Sequence, residues 1–404
     1  SLGRFERPQA LEYLGEPLPP YWSAHFESWQ EMADEFLRGA GAARRRAAVL
    51  DDHVTGAATA AGGAGCAVLC ALSLRQAYGA CQLVVGPRGR PWAFLKEISS
   101  DEDISTVDIV FASCPVWLDL DPGFLAALLE PVLDYAASDK WTEPFPPHGL
   151  GTWPVANGNP LGAASEPMPM QEAGGMLVMA AAYARRDPAG ARPFLARYEK
   201  LWARWAELLV SQLPDPPDQL TTVDYFGPSK GNVNLAALGI VGLGAASQIA
   251  NHLGQDAAAR RWHGLAKGFA ARWATLAMDR SGRHLDIDIG SQGTWSTLCN
   301  AYWDRALKTD LLPESVRRVE SAWYRSHVGA YGMPLKSTWP TLSRVDKLAW
   351  TAAWLHGEPT SPKLIDALAR YVGHTSLRAP LPDNYDPVSG GPGIRYNWQA
   401  RPVV

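Results

Sequence analysis

The chain is poor in charge. Asp, Glu, Lys and Arg make up 19% of its 404 residues, below the quarter usual for globular proteins. With 37 Lys+Arg against 41 Asp+Glu the net charge is −4, and the longest basic run is Arg44-Arg45-Arg46. No basic stripe is present to neutralise a phosphate backbone, so no nucleic-acid partner is expected. Cysteine is scarce as well: Cys66, Cys70, Cys81, Cys114 and Cys299 form neither a CxxC pair nor a dense disulfide framework. Cys66 and Cys70, four apart in an apolar stretch, read as buried free thiols. The first residues lack the basic-then-apolar layout of an export signal, and the location is left unassigned. Val54 to Leu74 carries no charge, but its Ala and Gly content reads as a close-packed helix of a globular protein, so no membrane span is expected. There is no HExxH, no G-x-S-x-G elbow and no P-loop. Gly242-Leu243-Gly244 falls inside a helical pattern with no strand before it, which excludes a dinucleotide fingerprint. His and Asp residues are scattered without metal-ligand spacing; no metal and no cofactor are expected.

What is abundant is apolar and aromatic. Hydrophobic residues reach 47%, with 17 Trp, and 37 Gly plus 32 Pro imply long, structured connections. Surplus tryptophans suit a cleft for a sugar or amide, beside their packing role. Apolar residues recur at the 3.6-residue period over 26–48, 60–80, 122–137, 169–186, 190–213, 232–253, 255–278, 295–307, 313–327, 343–356 and 361–373. Asp187-Pro188, Gly254 and Pro313-Glu314 supply matching stop and start signals. Residues 81–110 alternate like a β-hairpin with its turn at Gly86-Pro87-Arg88-Gly89. Residues 138–168 form a long Pro-, Gly- and aromatic-rich loop, a length that is usually functional. Stacked helical hairpins joined alternately by short turns and long loops predict an all-α (α/α)6 toroid over 1–404, with a cleft at one end and a small β-hairpin insertion near 81–110.

A set of ordered segments resembles the glutaminase A family, within the six-hairpin glycosidase superfamily. They are Phe94-Leu95-Lys96-Glu97, Ile104 to Asp108, Ser138-Asp139-Lys140-Trp141, Pro147 to Pro154, and Met168 to Gly174. Asn232-Val233-Asn234-Leu235, Gly293-Thr294-Trp295-Ser296, Trp303-Asp304, Tyr331 to Leu335 and Gln399-Ala400-Arg401 follow in the family's order. The resemblance implies a helical barrel preceded elsewhere in the family by a β-sandwich, which is not expected within these residues, and a hydrolase acting on glutamine or on glycans. It also implies an aspartate where Gly149 stands, a glutamate at Gln171, an acid at Val223 and an aspartate at Lys336.

Hydrolysis by water needs a proton donor and a base. The acids in the matched segments are Glu97, Asp108, Asp139, Glu172, Asp224, Asp304 and Asp346. Glu172, opening a helix and followed by Ala173-Gly174-Gly175, is the candidate general acid. Asp108, after a β-like run, or Asp304, in a helix, is the candidate water-activating base, with a wide carboxylate spacing expected. Candidate substrate binders are Lys96 and Arg401 for a carboxylate, His148 for a hydroxyl or carbonyl, Asn232 and Asn234 at a helix start, and Trp141, Trp153 and Trp295 for stacking. The expected substrate is a small molecule or an oligosaccharide. A glycan hydrolase is the first reading, an L-glutamine amidohydrolase the second, and a carbohydrate-binding or scaffold protein with impaired chemistry the third.

Overall fold

The computed structural model describes residues 11–97, 102–164, 166–223, 226–377, 380–382 and 384–393. The fold is a mainly helical toroid, with twelve helices and few strands among the described residues. They are α1 (Trp29–Ala80), α2 (Val107–Leu120), α3 (Pro122–Ala136), α4 (Pro169–Arg186), α5 (Pro188–Arg197) and α6 (Glu199–Gln212). The second half holds α7 (Val233–Leu253), α8 (Asp256–Leu276), α9 (Tyr302–Leu307), α10 (Glu314–Arg325), α11 (Val345–Trp354) and α12 (Thr360–His374). Strands β1 (Leu11–Tyr13) and β2 (Glu16–Leu18) pair antiparallel, and β1 also pairs parallel with β5 (Val155–Ala156). The predicted hairpin is β3 (Cys81–Val85) with β4 (Pro91–Leu95), Val84 opposite Trp92.

Alternate helices differ in what they bury, and this difference builds the ring. α4 is buried without a break from Met170 to Ala184, and α7 nearly so from Val233 to Ala250. Both are rich in Ala, Gly and aliphatics on every side, as expected of helices enclosed all round. α8, α10 and α12 bury one stripe each and face solvent with the other. The inner α4 packs on α2, α7 and α9; α11 packs on α9 and α12, and α12 reaches α1. α4 and α7 approach closely at glycines: a Cβ on Gly242 would lie 2.9 Å from the Gly174 backbone. That contact is the physical use of the Gly242-Leu243-Gly244 run. Most tryptophans are packing: Trp92, Trp117, Trp202, Trp205, Trp273 and Trp303 are fully buried.

Five expectations change. Residues 107–120 form helix α2, not the end of a β-like run, so Asp108 sits in a helical first turn. The expected helices 26–48 and 60–80 are joined as α1, kinked at Gly62 and Gly63, and the single helix 190–213 is split between α5 and α6. Val54 to Leu74 is not close-packed; most of α1 faces outward, with Phe36, Leu37 and Val49 exposed. By length and composition α1 and α7 could each cross a membrane, but α7 is a core helix, 89% buried over its apolar window against 17% for α1. Cys66 and Cys70 are free but half-buried rather than buried.

One buried acid sets a pH dependence of the fold itself. Glu320 on α10 has no exposed surface; its Oε1 accepts the Leu285 N–H at 2.5 Å, while Oε2 has no partner. Burial pushes its carboxyl up to about 8, against the lowering pull of Tyr324 and the Leu285 amide. The folded chain therefore holds a proton that the unfolded chain releases near 4.5, and stability falls as pH rises from there through about 8. Glu320→Gln should raise Tm at pH 8.5 and leave it nearly unchanged at pH 4.5. Equal shifts at both pH values in a thermal scan would remove Glu320 from the titration.

Candidate functional site

Several inner helices are entered from long loops. Loop residues 137–168 run into α4, and residues 277–298 run into the 3-10 turn Cys299–Ala301 that opens α9. Four of these starts line a cavity of about 430 Å³. α4 contributes Gln171, α7 contributes Asn232, Asn234 and Leu235, the turn before α9 contributes Cys299 and Asn300, and α11 contributes Lys347. Loops complete the wall with Thr222, Val223, Phe226, Ser229, Lys230, Asp288, Ser296 and Lys336.

Local sequence explains the placement. Asn232 caps α7, its Oδ1 accepting the Leu235 N–H at 2.9 Å, and its Nδ2 reaches Asp288 Oδ1 at 3.4 Å. Ser229 Oγ also donates to Asp288 Oδ1, so Oδ2 is the oxygen of Asp288 open to a ligand. Asn234 locks the neighbouring helix start: its Oδ1 accepts the Asn300 N–H at 3.1 Å and its carbonyl accepts Asn300 Nδ2 at 3.1 Å. Three buried polar atoms of the wall have no protein partner, namely Gln171 Nε2, Thr222 Oγ1 and Asn300 Oδ1. Buried polar atoms are seldom left unsatisfied, and three on residues that line one cavity make it the candidate ligand site.

The electrostatics favour an anion. Four helix N-termini direct partial positive charge at the cavity. Lys230, Lys336 and Lys347 line it against one described carboxylate, Asp288. Lys336 Nζ lies 3.7 Å from the Phe226 ring centroid, and burial lowers its pKa while Asp288 pulls it back up. Lys347 is buried and paired with Asp346 at 3.2 Å, which in turn holds Arg344. Three of the four positions where the family resemblance implies an acid, Gln171, Val223 and Lys336, line this wall. Gly149 instead abuts the backbone of Ile104 to Thr106.

A second polar group lies beside the first. Glu172 follows Gln171 but turns away from the cavity, and its Oε1 meets His148 Nδ1 at 2.8 Å. His148 Nε2 meets Glu166 Oε2 at 2.6 Å, and Asp108 closes the cluster, one donor atom of each of Asp108, His148 and Glu172 lying within 4.8 Å of the others. Burial pushes Glu172 up to about 8, with Asp108 adding to the rise and the His148 bond opposing it. Burial alone would lower His148, but its bonds to Glu166 and Glu172 carry it well above the ordinary imidazole range.

The candidates from sequence therefore separate. Asn232 and Asn234 are at the cavity. Glu172, Asp108 and His148 come together, but in the adjacent cluster and not in the cavity wall. The approach of Glu172 and Asp108 within 4.8 Å replaces the wide carboxylate spacing that was expected. Asp304 is used structurally, accepting from Thr309 Oγ1 at 2.6 Å and the amides of Leu311 and Leu312. Lys96 pairs with Glu102 at 3.0 Å, away from the cavity. Trp141 is buried with its Nε1 on the Phe145 carbonyl; Trp295 is buried against His327; Trp153 is half-buried against the core. None of the three lines the cavity, whose described aromatic is Phe226. Arg401 and Asp224 lie outside the described residues. Gln171, Asp288, Asn300, Lys336 and Lys347 were not among the candidates; Gln171, Asn300 and Lys347 lie within three residues of a helix start and Lys336 directly follows a matched segment, while Asp288 carries no such signal.

Comparison with known proteins bears on this site. Residues 63–404 match the model of the glutaminase A six helical-hairpin domain. Glutaminase A of Aspergillus oryzae is 31% identical over 98% of this chain and 58% of its own length. A probable glutaminase of Arthroderma benhamiae is 27% identical over 83% of this chain and 48% of its own. The chain thus spans about half the length of these curated relatives. An uncharacterized conserved protein from Thermus thermophilus aligns with a TM-score of 0.49 at 12% identity, covering 74% of this chain and 89% of that one. The chain belongs to the glutaminase A six helical-hairpin family.

Proposed function

We propose that the cavity takes L-glutamine and that the chain is the helical module of an L-glutamine amidohydrolase. The observation that carries this reading is the wall's combination of cations with one unpartnered donor and one unpartnered acceptor. A primary amide presents one carbonyl acceptor and one NH2 donor; Gln171 Nε2 and Asn300 Oδ1 are the complementary pair. Lys336 and Lys347, with the helix N-termini, suit the α-carboxylate. Asp288 Oδ2 takes a proton from water as its oxygen attacks the amide carbon, and the Gln171 N–H groups hold the oxyanion that forms. Collapse breaks the C–N bond, the proton passes from Asp288 to the leaving nitrogen, and ammonia and glutamate depart. The relatives named glutaminase support the same substrate.

A glycan hydrolase with paired carboxylates fits the wall less well, since the described lining offers Asp288 alone. A receptor that binds without turnover is favoured by one observation: Gln171, Val223 and Lys336 occupy lining positions where the family resemblance implies acids. Ammonia release from glutamine, reducing-sugar release from a glycan panel and calorimetry with glutamine separate the three. Lys336→Met should raise KM for glutamine about 10–100-fold, the scale of a lost hydrogen bond to a charged group, with a smaller change in kcat. A KM within threefold of wild type would take Lys336 out of substrate binding.

A further inference from the structure

We propose that Asp108, His148 and Glu172 form a binding site for one divalent transition-metal ion, separate from the cavity wall. The three residues come from the start of α2, the 137–168 loop and the start of α4, and each puts one donor atom within 4.8 Å of the others. Asp108 and Glu172 are buried, 3% and 1% exposed, and the His148 side chain is 8% exposed. Asp108 Oδ1 and Glu172 Oε2 have no hydrogen-bond partner, although both are out of contact with solvent. Two buried carboxylates with open oxygens are costly unless a cation meets them.

The histidine is oriented for this role. Its Nε2 faces Glu166, 43% exposed at the rim, at 2.6 Å, while Nδ1 points toward Glu172. A carboxylate accepting from one ring nitrogen fixes the tautomer that offers the other nitrogen's lone pair to a metal. Donors around a tetrahedral ion with bonds of about 2.0–2.2 Å are about 3.3–3.6 Å apart, within the spread of this group. One imidazole with two carboxylates suits zinc or manganese better than calcium or magnesium, which prefer all-oxygen sets. The ion would replace the proton now shared between Nδ1 and Glu172 and tie three distant segments together. Another group of two carboxylates and a histidine, Asp279, His284 and Asp286, contrasts with it. There, Asp279 already accepts from the Ser281 and Gly293 amides, and Asp286 from Gln292.

The test uses the full chain, dialysed against chelator and titrated with Zn2+ and with Mn2+ by calorimetry, with bound metal counted after gel filtration. Wild type should take up one ion lost in both Asp108→Asn and Glu172→Gln, and Glu166→Gln should weaken it about 10–100-fold. At a hundredfold excess over Kd the ion should raise Tm by about 3–5 °C in wild type only. Without metal, Asp108→Asn should melt no lower than wild type, since it removes a buried carboxylate with an unpartnered oxygen, whereas Glu172→Gln also weakens the bond to His148 and is read by metal uptake alone. Metal uptake equal in wild type and Asp108→Asn would overturn the site, as would no uptake by wild type at millimolar ion. If either neutral variant fails to fold, Glu166→Gln at the rim decides alone. Glutamine binding in the neighbouring cavity is read separately through Lys336→Met, so either idea can fail without the other.

Discussion

Asp288→Asn should lower ammonia release from L-glutamine by about 10² or more while calorimetric affinity for glutamine stays within a few-fold. The substitution keeps size and shape, and Ser229 Oγ can donate to an amide oxygen as it does to Asp288 Oδ1. Asn232 Nδ2, at 3.4 Å from the same oxygen, is also retained. What disappears is the oxygen that can accept a proton from water, since an amide is not a base near neutral pH. A loss of binding as large as the loss of turnover would reassign Asp288 to the substrate's ammonium group. Turnover within fivefold of wild type would place the base elsewhere. Wild-type binding with no ammonia released at all would make the chain a receptor, and wild type and variant would then be compared by affinity alone.

Inner and outer helices alike are legible in the sequence, α4 and α7 falling on the 169–186 and 232–253 windows, and α2 is the exception. Periodicity is clearest where one face of a helix meets solvent. α8, α10 and α12 do so, and their spans fall close to the 255–278, 313–327 and 361–373 windows. α2 is buried on nearly every side from Val107 to Cys114 and carries Pro115, so it reads as a strand-like apolar run. The site suffers the same loss. Asn232 is legible because an N-cap asparagine has a local signature. Asp108, His148 and Glu172 meet through the ring closure of three separate segments, so no spacing announces them. The loop tryptophans misled because a Pro-rich loop folds back on itself, as the Trp141 Nε1 contact with Phe145 shows.

The second large effect is on stability, at the start of α11. Arg344, Asp346 and Lys347 are 0%, 0% and 2% exposed, and Asp346 is the carboxylate shared by the two cations, at 3.1 Å and 3.2 Å. Burial would raise Asp346, but Arg344 and Lys347 hold it down at about 2. Asp346→Asn removes the carboxylate that both buried cations share and should destabilise the chain by about 3–5 kcal/mol in denaturant unfolding at pH 7. Arg344 also donates to the Thr222 carbonyl at 2.9 Å, so the loss should loosen a cavity loop as well as the helix start. The pH dependence is opposite to that of Glu320. A depressed carboxylate contributes fully above its ordinary range near 3.8 and loses that contribution as pH falls through about 2. The gap between wild type and variant should therefore stay constant from pH 7 to 5 and close only in strong acid. A gap under 1 kcal/mol at pH 7 would mean that Arg344 and Lys347 regain water when the pair breaks, and the helix start would then be held by packing around Trp350 and Leu348 rather than by charge.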